Sequence, residues 1–221
     1  MVPLLLLAPF LLVAAKCIDN ETMYQDSGGD WHVVGEVHND TDVWGAGMVL
    51  GGKLMDADGN LLAEGQAPVC PYELAAHGMS VFDVQFMGTS GLHPATYDVR
   101  PIAGKALDHA LPPLDASLVG FAAKRTSLGV SITGSLRPGT AGDQIFGGCA
   151  AFYNSSGRVI RQVDVFGFGN GPGGSDAATT LILPQIPGEA VGVQLWFFQF
   201  GGGEPLSSDF AAATTGRLTI R

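Results

Sequence analysis

The same order of strands runs through this chain twice, and that repetition limits what it can fold into. Residues 31–38 read WHVVGEVH and residues 128–137 read LGVSITGSLR, each alternating apolar with polar or small side chains. Each run leads to a longer apolar stretch and then a turn-bearing segment, LMDADGNLL at 54–62 and FYNSSGRVI at 152–160. A Leu, a Gly and another alternating run follow in both copies: Leu74, Gly78 and SVFDVQF at 80–86, then Leu183, Gly188 and AVGVQLWF at 190–197. Laying Gly59 on Gly157 brings Gly35 to within one residue of Gly134. A duplication of this length describes two copies of one domain, each burying its own core.

The period within the runs is two. Val130, Ile132 and Leu136 alternate with Ser131, Thr133 and Ser135, so each strand buries one face and presents the other, as antiparallel sheets do. Asp58-Gly59 and Ser156-Gly157 supply the positive φ that tight hairpins need. Thirty-two glycines and thirteen prolines suit short strands joined by turns. The expected fold is all-β: two tandem immunoglobulin-like β-sandwiches, residues 17–100 and 117–221. Residues 101–116, PIAGKALDHALPPLDA, are expected to connect them, with room for at most a short helical turn near Lys105–Ala110.

Composition excludes several classes. Apolar residues make up 46% and charged residues 14%, the reverse of a disordered chain. A net charge of −10 opposes nucleic acid and anionic lipid, and no basic stripe offsets it. Residues 1–15, MVPLLLLAPFLLVAA, read as a cleaved signal peptide: too short to span a bilayer, and ending in small residues at peptidase spacing. A lipid anchor on Cys17 is the lesser reading, because Lys16 stands where a small residue is wanted. The expected location is therefore secreted or extracytoplasmic. There, Cys17 and Cys70 are expected to form a disulfide within the first domain, leaving Cys149 as a small buried thiol.

The order of motifs in residues 31–86 resembles the FxLYD family of extracytoplasmic modules. The likeness falls on Gly35, Val37 and Asn39, on Asp56 and Gly59, and on Leu74, Gly78 and Phe82. The second copy is similar through Gly134, Leu136, Gly157 and Leu183, with Pro138 in place of the Asn. The resemblance implies an immunoglobulin-like sandwich used for binding or display, with no catalytic residues to carry over.

No catalytic signature is complete. GTSG at 88–91 falls short of a nucleophile elbow, and GFGNGPGGSD at 167–176 lacks the Lys-Ser/Thr of a phosphate loop. Asp56, Asp58 and Asn60 space their oxygens as calcium loops do, but a Leu and an Ala occupy the required Gly and Glu positions, so a hairpin is expected. His32, Glu36 and His38 share one strand face, read as solvated; no metal or cofactor is expected. The loop 38–47, HNDTDVWGAG, is the candidate binding site, through Trp44 and Asp42. The Trp44 ring either stacks on a sugar or folds back to close the sandwich end. Asn20, Asn39 and Asn154 head N-glycosylation sequons.

The strand LWFFQF at 195–200 is apolar on both faces. A sandwich fills one core, so the second face needs cover from the other domain, the connector or a second chain. The function expected is a non-catalytic binding or structural module with a protein or glycan partner. Lectin-like adhesion is the alternative, and an enzyme with a dispersed site ranks below it.

Overall fold

The computed structural model describes residues 17–139, 145–169, 177–199 and 212–221. Among these every regular element is a strand. The first copy holds β1 (Ile18–Gln25), β2 (Trp31–His38), β3 (Gly45–Met55), β4 (Leu61–Pro68), β5 (Glu73–Leu74), β6 (Met79–Phe86) and β7 (Thr96–Ala106). The second holds β8 (Ala116–Thr126), β9 (Gly129–Pro138), β10 (Ile145–Tyr153), β11 (Val159–Gly169), β12 (Ala177–Leu183), β13 (Gly192–Gln199) and β14 (Ala213–Thr219).

Each copy is a sandwich of two antiparallel sheets. In the first, β1-β2-β6 faces a sheet in which β3 pairs with β4, β7 and the short β5. In the second, β8-β9-β12 faces β11-β10-β13-β14, an immunoglobulin-like strand order. Both cores follow the alternation. Val33 and Val37 of β2, Leu50 and Leu54 of β3, and Phe82, Val84 and Phe86 of β6 fill the first. Val130, Ile132 and Leu136 of β9 meet Ala150 and Phe152 of β10 and Val193, Leu195 and Phe197 of β13 in the second.

The duplication is exact at the hairpin and slips beyond it. The β3–β4 and β10–β11 turns close alike: Asp56 N–H donates to Asn60 O at 3.0 Å, and Asn154 N–H to Arg158 O at 3.1 Å. Gly59 and Gly157 take φ of 83° and 82°. Past this point β6 pairs with β2, whereas β13 pairs with β10. The counterpart of β6 is thus β12, which pairs with β9, and not the strand its sequence resembles. Alternation marks a strand as half-buried; which neighbour it pairs with depends on the chain between.

The connection is shorter than residues 101–116. β7 keeps pairing with β3 through Ala106, with Gly45 opposite, so Pro101–Ala106 is an edge strand of the first domain. No helix forms near Lys105–Ala110. Pro101 fits because it lies on an edge, where its missing N–H interrupts little. Of the glycine-rich insertion 167–176, Gly167–Gly169 end β11, and 170–176 lie outside the described residues.

Candidate functional site

The two sandwiches pack face to face, and the groups with chemistry collect along that seam. On β2, Val33 and Val37 point into the domain core, so His32, Val34 and Glu36 point outward. These outward residues are covered rather than solvated: His32 is 6% exposed, Val34 0% and Glu36 2%. The cover comes from the outer face of β10, β11 and β13. Val34, Cys70 and Val81 of the first domain form one cluster with Cys149, Ala151, Tyr153, Val159, Trp196 and Phe198 of the second. The apolar run 195–198 thus has its explanation within the chain, and Phe200 lies outside the described residues. Leu195 and Phe197 enter the second core, and Trp196 and Phe198 enter the seam, with the Phe198 ring 5.3 Å from that of Tyr72.

A disulfide crosses the seam. Cys70 pairs with Cys149, 79 residues on, at a Cα–Cα distance of 6.3 Å. The expected Cys17–Cys70 bond does not form, and Cys149 is not a thiol. Cys17 is the free cysteine, buried at the start of β1, its thiol pushed up mainly by that burial. The reason lies in orientation. Cys70 bridges Val81 on β6 and faces outward, and Cys149 lies on the outward face of β10, opposite it.

Two polar groups flank the apolar centre. In one, Tyr24 stacks on His32 with rings 4.9 Å apart and 10° from parallel. His32 Nδ1 lies 2.7 Å from Asp83 Oδ1, and Nε2 lies 3.5 Å from Asp26 Oδ2. Arg161 reaches across from β11, donating to the Tyr24 hydroxyl, with its guanidinium 5.1 Å from that ring. Burial pulls the His32 imidazole down, but the hydrogen bond and charge of Asp83 outweigh it, and the net shift is upward. Burial, with the charge of Asp83, pushes the Tyr24 hydroxyl up. In the second group, Arg217 of β14 lies 3.5 Å above the Tyr153 ring and 3.3 Å from the buried Glu36 carboxylate. Asn20 donates to that carboxylate, and His38 Nε2 is 3.4 Å from it. A buried carboxylate is tolerable only when it is paired in this way.

Beside the disulfide a cavity of about 200 Å³ opens between the domains, lined by His32, Tyr72 and Asp83 on one side and Gln162 and Asp164 on the other. The Asp164 carboxyl is raised by desolvation and by Asp83, although the residue as a whole is open to solvent. The recess is smaller than the roughly 300–1,000 Å³ of most ligand sites, so it suits water or a group of a few atoms. A shallower groove of about 380 Å³ lies on the outer face of β3, β4 and β7, around Gly51, Lys53, Gln66, Arg100 and Ile102. Among the described residues no group of three His, Cys, Asp or Glu is placed to hold a metal ion.

The residues singled out from sequence lie elsewhere. Trp44 is half-buried and lines neither cavity. Its carbonyl accepts from Leu107 N–H at 2.8 Å. The Asp42 side chain is open to solvent and meets His77 at 2.8 Å. Asn39 ties this loop down, its amide donating to the carbonyls of Val43 at 2.8 Å and Ala75 at 2.9 Å. Asp56 accepts from the backbone of Asp58 at 2.9 Å and of Asn60 at 2.8 Å, so its oxygens serve the hairpin. The hydrogen bond from the Asn60 side chain is the chief cause holding the Asp56 carboxyl down. Within GTSG, Thr89 is buried and accepts from Trp31 N–H at 2.9 Å, a clasp between turns. Sequence reasoning missed Tyr24, Asp83, Arg161 and Arg217, and the contacts of Arg161 with Tyr24 and of Arg217 with Glu36 cross between the domains. The signal that pointed to them was the doubly apolar strand, which required a seam.

No family model and no curated protein matches the chain. Among solved structures it is similar to a crystal structure of red sea bream transglutaminase, at 12% identity and a TM-score of 0.25, over 94% of this chain and 32% of that one. It is similar also to a Ruminococcus gnavus β-glucuronidase, at 9% identity and a TM-score of 0.18, over 84% of this chain and 34% of that one. The chain spans about a third of the length of each. Likenesses at this level carry no argument about activity.

Proposed function

We propose that the chain is an exported, non-catalytic tandem β-sandwich that serves as a binding or structural module in the extracytoplasmic space. The observation that carries this reading is the Cys70–Cys149 disulfide across the seam. Disulfides persist in oxidising compartments and are rare in reducing ones. A bond between two domains, laid over a buried apolar centre, turns two mobile modules into one rigid body. Such a body holds surfaces at a fixed distance and angle, which suits positioning a protein or glycan partner. The leader-like residues 1–15 and the resemblance of residues 31–86 to FxLYD modules point the same way. The burial of Cys17 at the start of β1 favours cleavage of the leader over lipid attachment.

Fractionation of an exporting bacterial host that produces the full chain tests the proposal, with mass spectrometry of unreduced peptides. The expected product is extracytoplasmic, lacks residues 1–15 and yields a peptide pair joined through Cys70 and Cys149. Cytoplasmic protein with the leader intact, or with both cysteines as thiols, would overturn it.

A further inference from the structure

The three sequons sit in very different surroundings, and we infer that Asn154 is the one glycan acceptor this fold can carry, while Asn39 and Asn20 are structural. The inference rests on the proposed export, since oligosaccharide is transferred only in a secretory lumen or its equivalent. N-glycosylation joins the asparagine Nδ2 to C1 of the sugar. The C1–O bond to a lipid pyrophosphate donor breaks, that pyrophosphate leaves with the electron pair, and Nδ2 gives up one proton. An acceptor therefore needs an Nδ2 whose protons are not committed, and space beyond it.

Asn39 fails on both counts. Its Nδ2 donates to Val43 O at 2.8 Å, Ala75 O at 2.9 Å and, more weakly, Leu74 O at 3.4 Å. Its Oδ1 accepts from Thr41 Oγ1 at 2.7 Å, so the whole amide is spent on joining the β2–β3 loop to the segment after β5. A sugar on that nitrogen would stand where the carbonyls are. Asn20 has its amide nitrogen on Glu36 Oε2, a carboxylate only 3% exposed. Asn20 is itself exposed, but a sugar on that nitrogen would displace the bond that helps to pair the buried Glu36 carboxylate.

Asn154 is the reverse case. Its Oδ1 accepts from Ser156 N–H at 3.1 Å, Ser156 Oγ at 2.8 Å and Arg158 N–H at 3.0 Å, and those bonds join the backbone bonds of the turn in shaping the hairpin. Among the described residues its Nδ2 donates no hydrogen bond, and Ser155, Ser156 and Arg158 around it are exposed. The sequon hydroxyl contacts the amide oxygen at Asn39 as it does at Asn154, so the Nδ2 separates the sites.

The test is secretion of the full chain from yeast behind a strong added leader, with an extra sequon on an unstructured C-terminal tail as an internal control. Glycan occupancy is read by mass on the secreted, disulfide-bonded fraction. The expected result is glycan on Asn154 and on the tail, and none on Asn39 or Asn20. Ser156→Ala, which removes the sequon but keeps the bonds from the backbone N–H groups of Ser156 and Arg158 to Asn154 Oδ1, should leave the secreted yield unchanged, whereas Asn39→Gln should lower it about five-fold or more, as loss of a half-buried group with several hydrogen bonds does. An empty Asn154 beside an occupied tail would overturn the inference, as would folded secreted protein bearing glycan on Asn39. Because the added leader directs entry, these results stand apart from the export reading, which the chain's own residues 1–15 test in a parallel culture.

Discussion

His32 concentrates the electrostatics of the seam in one side chain. Asp83 from β6 and Asp26 from the β1–β2 turn lie against it, Tyr24 stacks on it and the Arg161 guanidinium comes across from β11. Its folded pKa is raised, so the stabilisation it gives is fully present below its unfolded value of about 6.5 and is lost as pH rises through the folded value. Denaturation midpoints measured from pH 5.5 to 9 should fall across the upper part of that range. His32→Gln should be less stable at the acid end and should lose that slope; equal slopes in the two proteins would contradict the assignment. The sequence revealed that His32 and Glu36 share a strand face. It could not reveal that the face was covered, because cover depends on a strand more than a hundred residues away. Cys149 was hidden for the same reason: an outward cysteine and an inward one look alike until the pairing of β10 is known.

At the scale of the strand, far more was legible. The alternating residues of β2, β6 and β9 went to their cores as the period demands, and both hairpins closed at their glycines. What the pattern could not settle was pairing. SVFDVQF and LWFFQF resemble each other, yet one pairs with β2 and the other with β10. Glycine carries another part of the message. A Cβ on Gly35 would lie 2.8 Å from the Phe82 ring, and one on Gly134 would lie 2.6 Å from the Phe121 ring, so each of these repeated glycines makes room for an aromatic. The doubly apolar β13 gave the strongest long-range inference, and it is open to direct test. Phe198 is 2% exposed and serves the seam, whereas its neighbour Phe197 serves the core. Phe198→Ser should cost about 3 kcal/mol, in the range of large-to-small core changes. Hydrogen exchange should quicken at seam positions of β2 and β6 and stay slow in the second core, at Phe152 and Leu195. Uniform loss of protection would mean that the seam and the core are one cooperative unit.

For the whole molecule, the decisive fact is that the covalent tie and the apolar centre coincide. Either alone would leave the domains some freedom: a tether permits rocking, and an interface of this kind between small domains opens by default unless it is large and apolar. Together they remove the hinge that a short connector between β7 and β8 would otherwise supply. The tie also acts on the unfolded chain. Closing a loop of 79 residues should stabilise the folded state by about 4.5 kcal/mol on the chain-entropy account. Cys149→Ser should therefore lower the denaturation midpoint substantially while leaving the strand content unchanged, since both sandwich cores lie away from the sulfur. Spin labels on Leu61 and Leu128, exposed in the first and second domains, then distinguish two outcomes. If the apolar centre and the Glu36–Arg217 and Tyr24–Arg161 flanks suffice, the distance distribution keeps its mean and widens modestly. If the disulfide alone holds the pose, the distribution spreads into a broad range, and the seam is a surface that the bond forces shut. The near-complete burial of Val34, Val81, Trp196 and Phe198 favours the first, because side chains packed to that degree separate only at the cost of exposing all of them to water together.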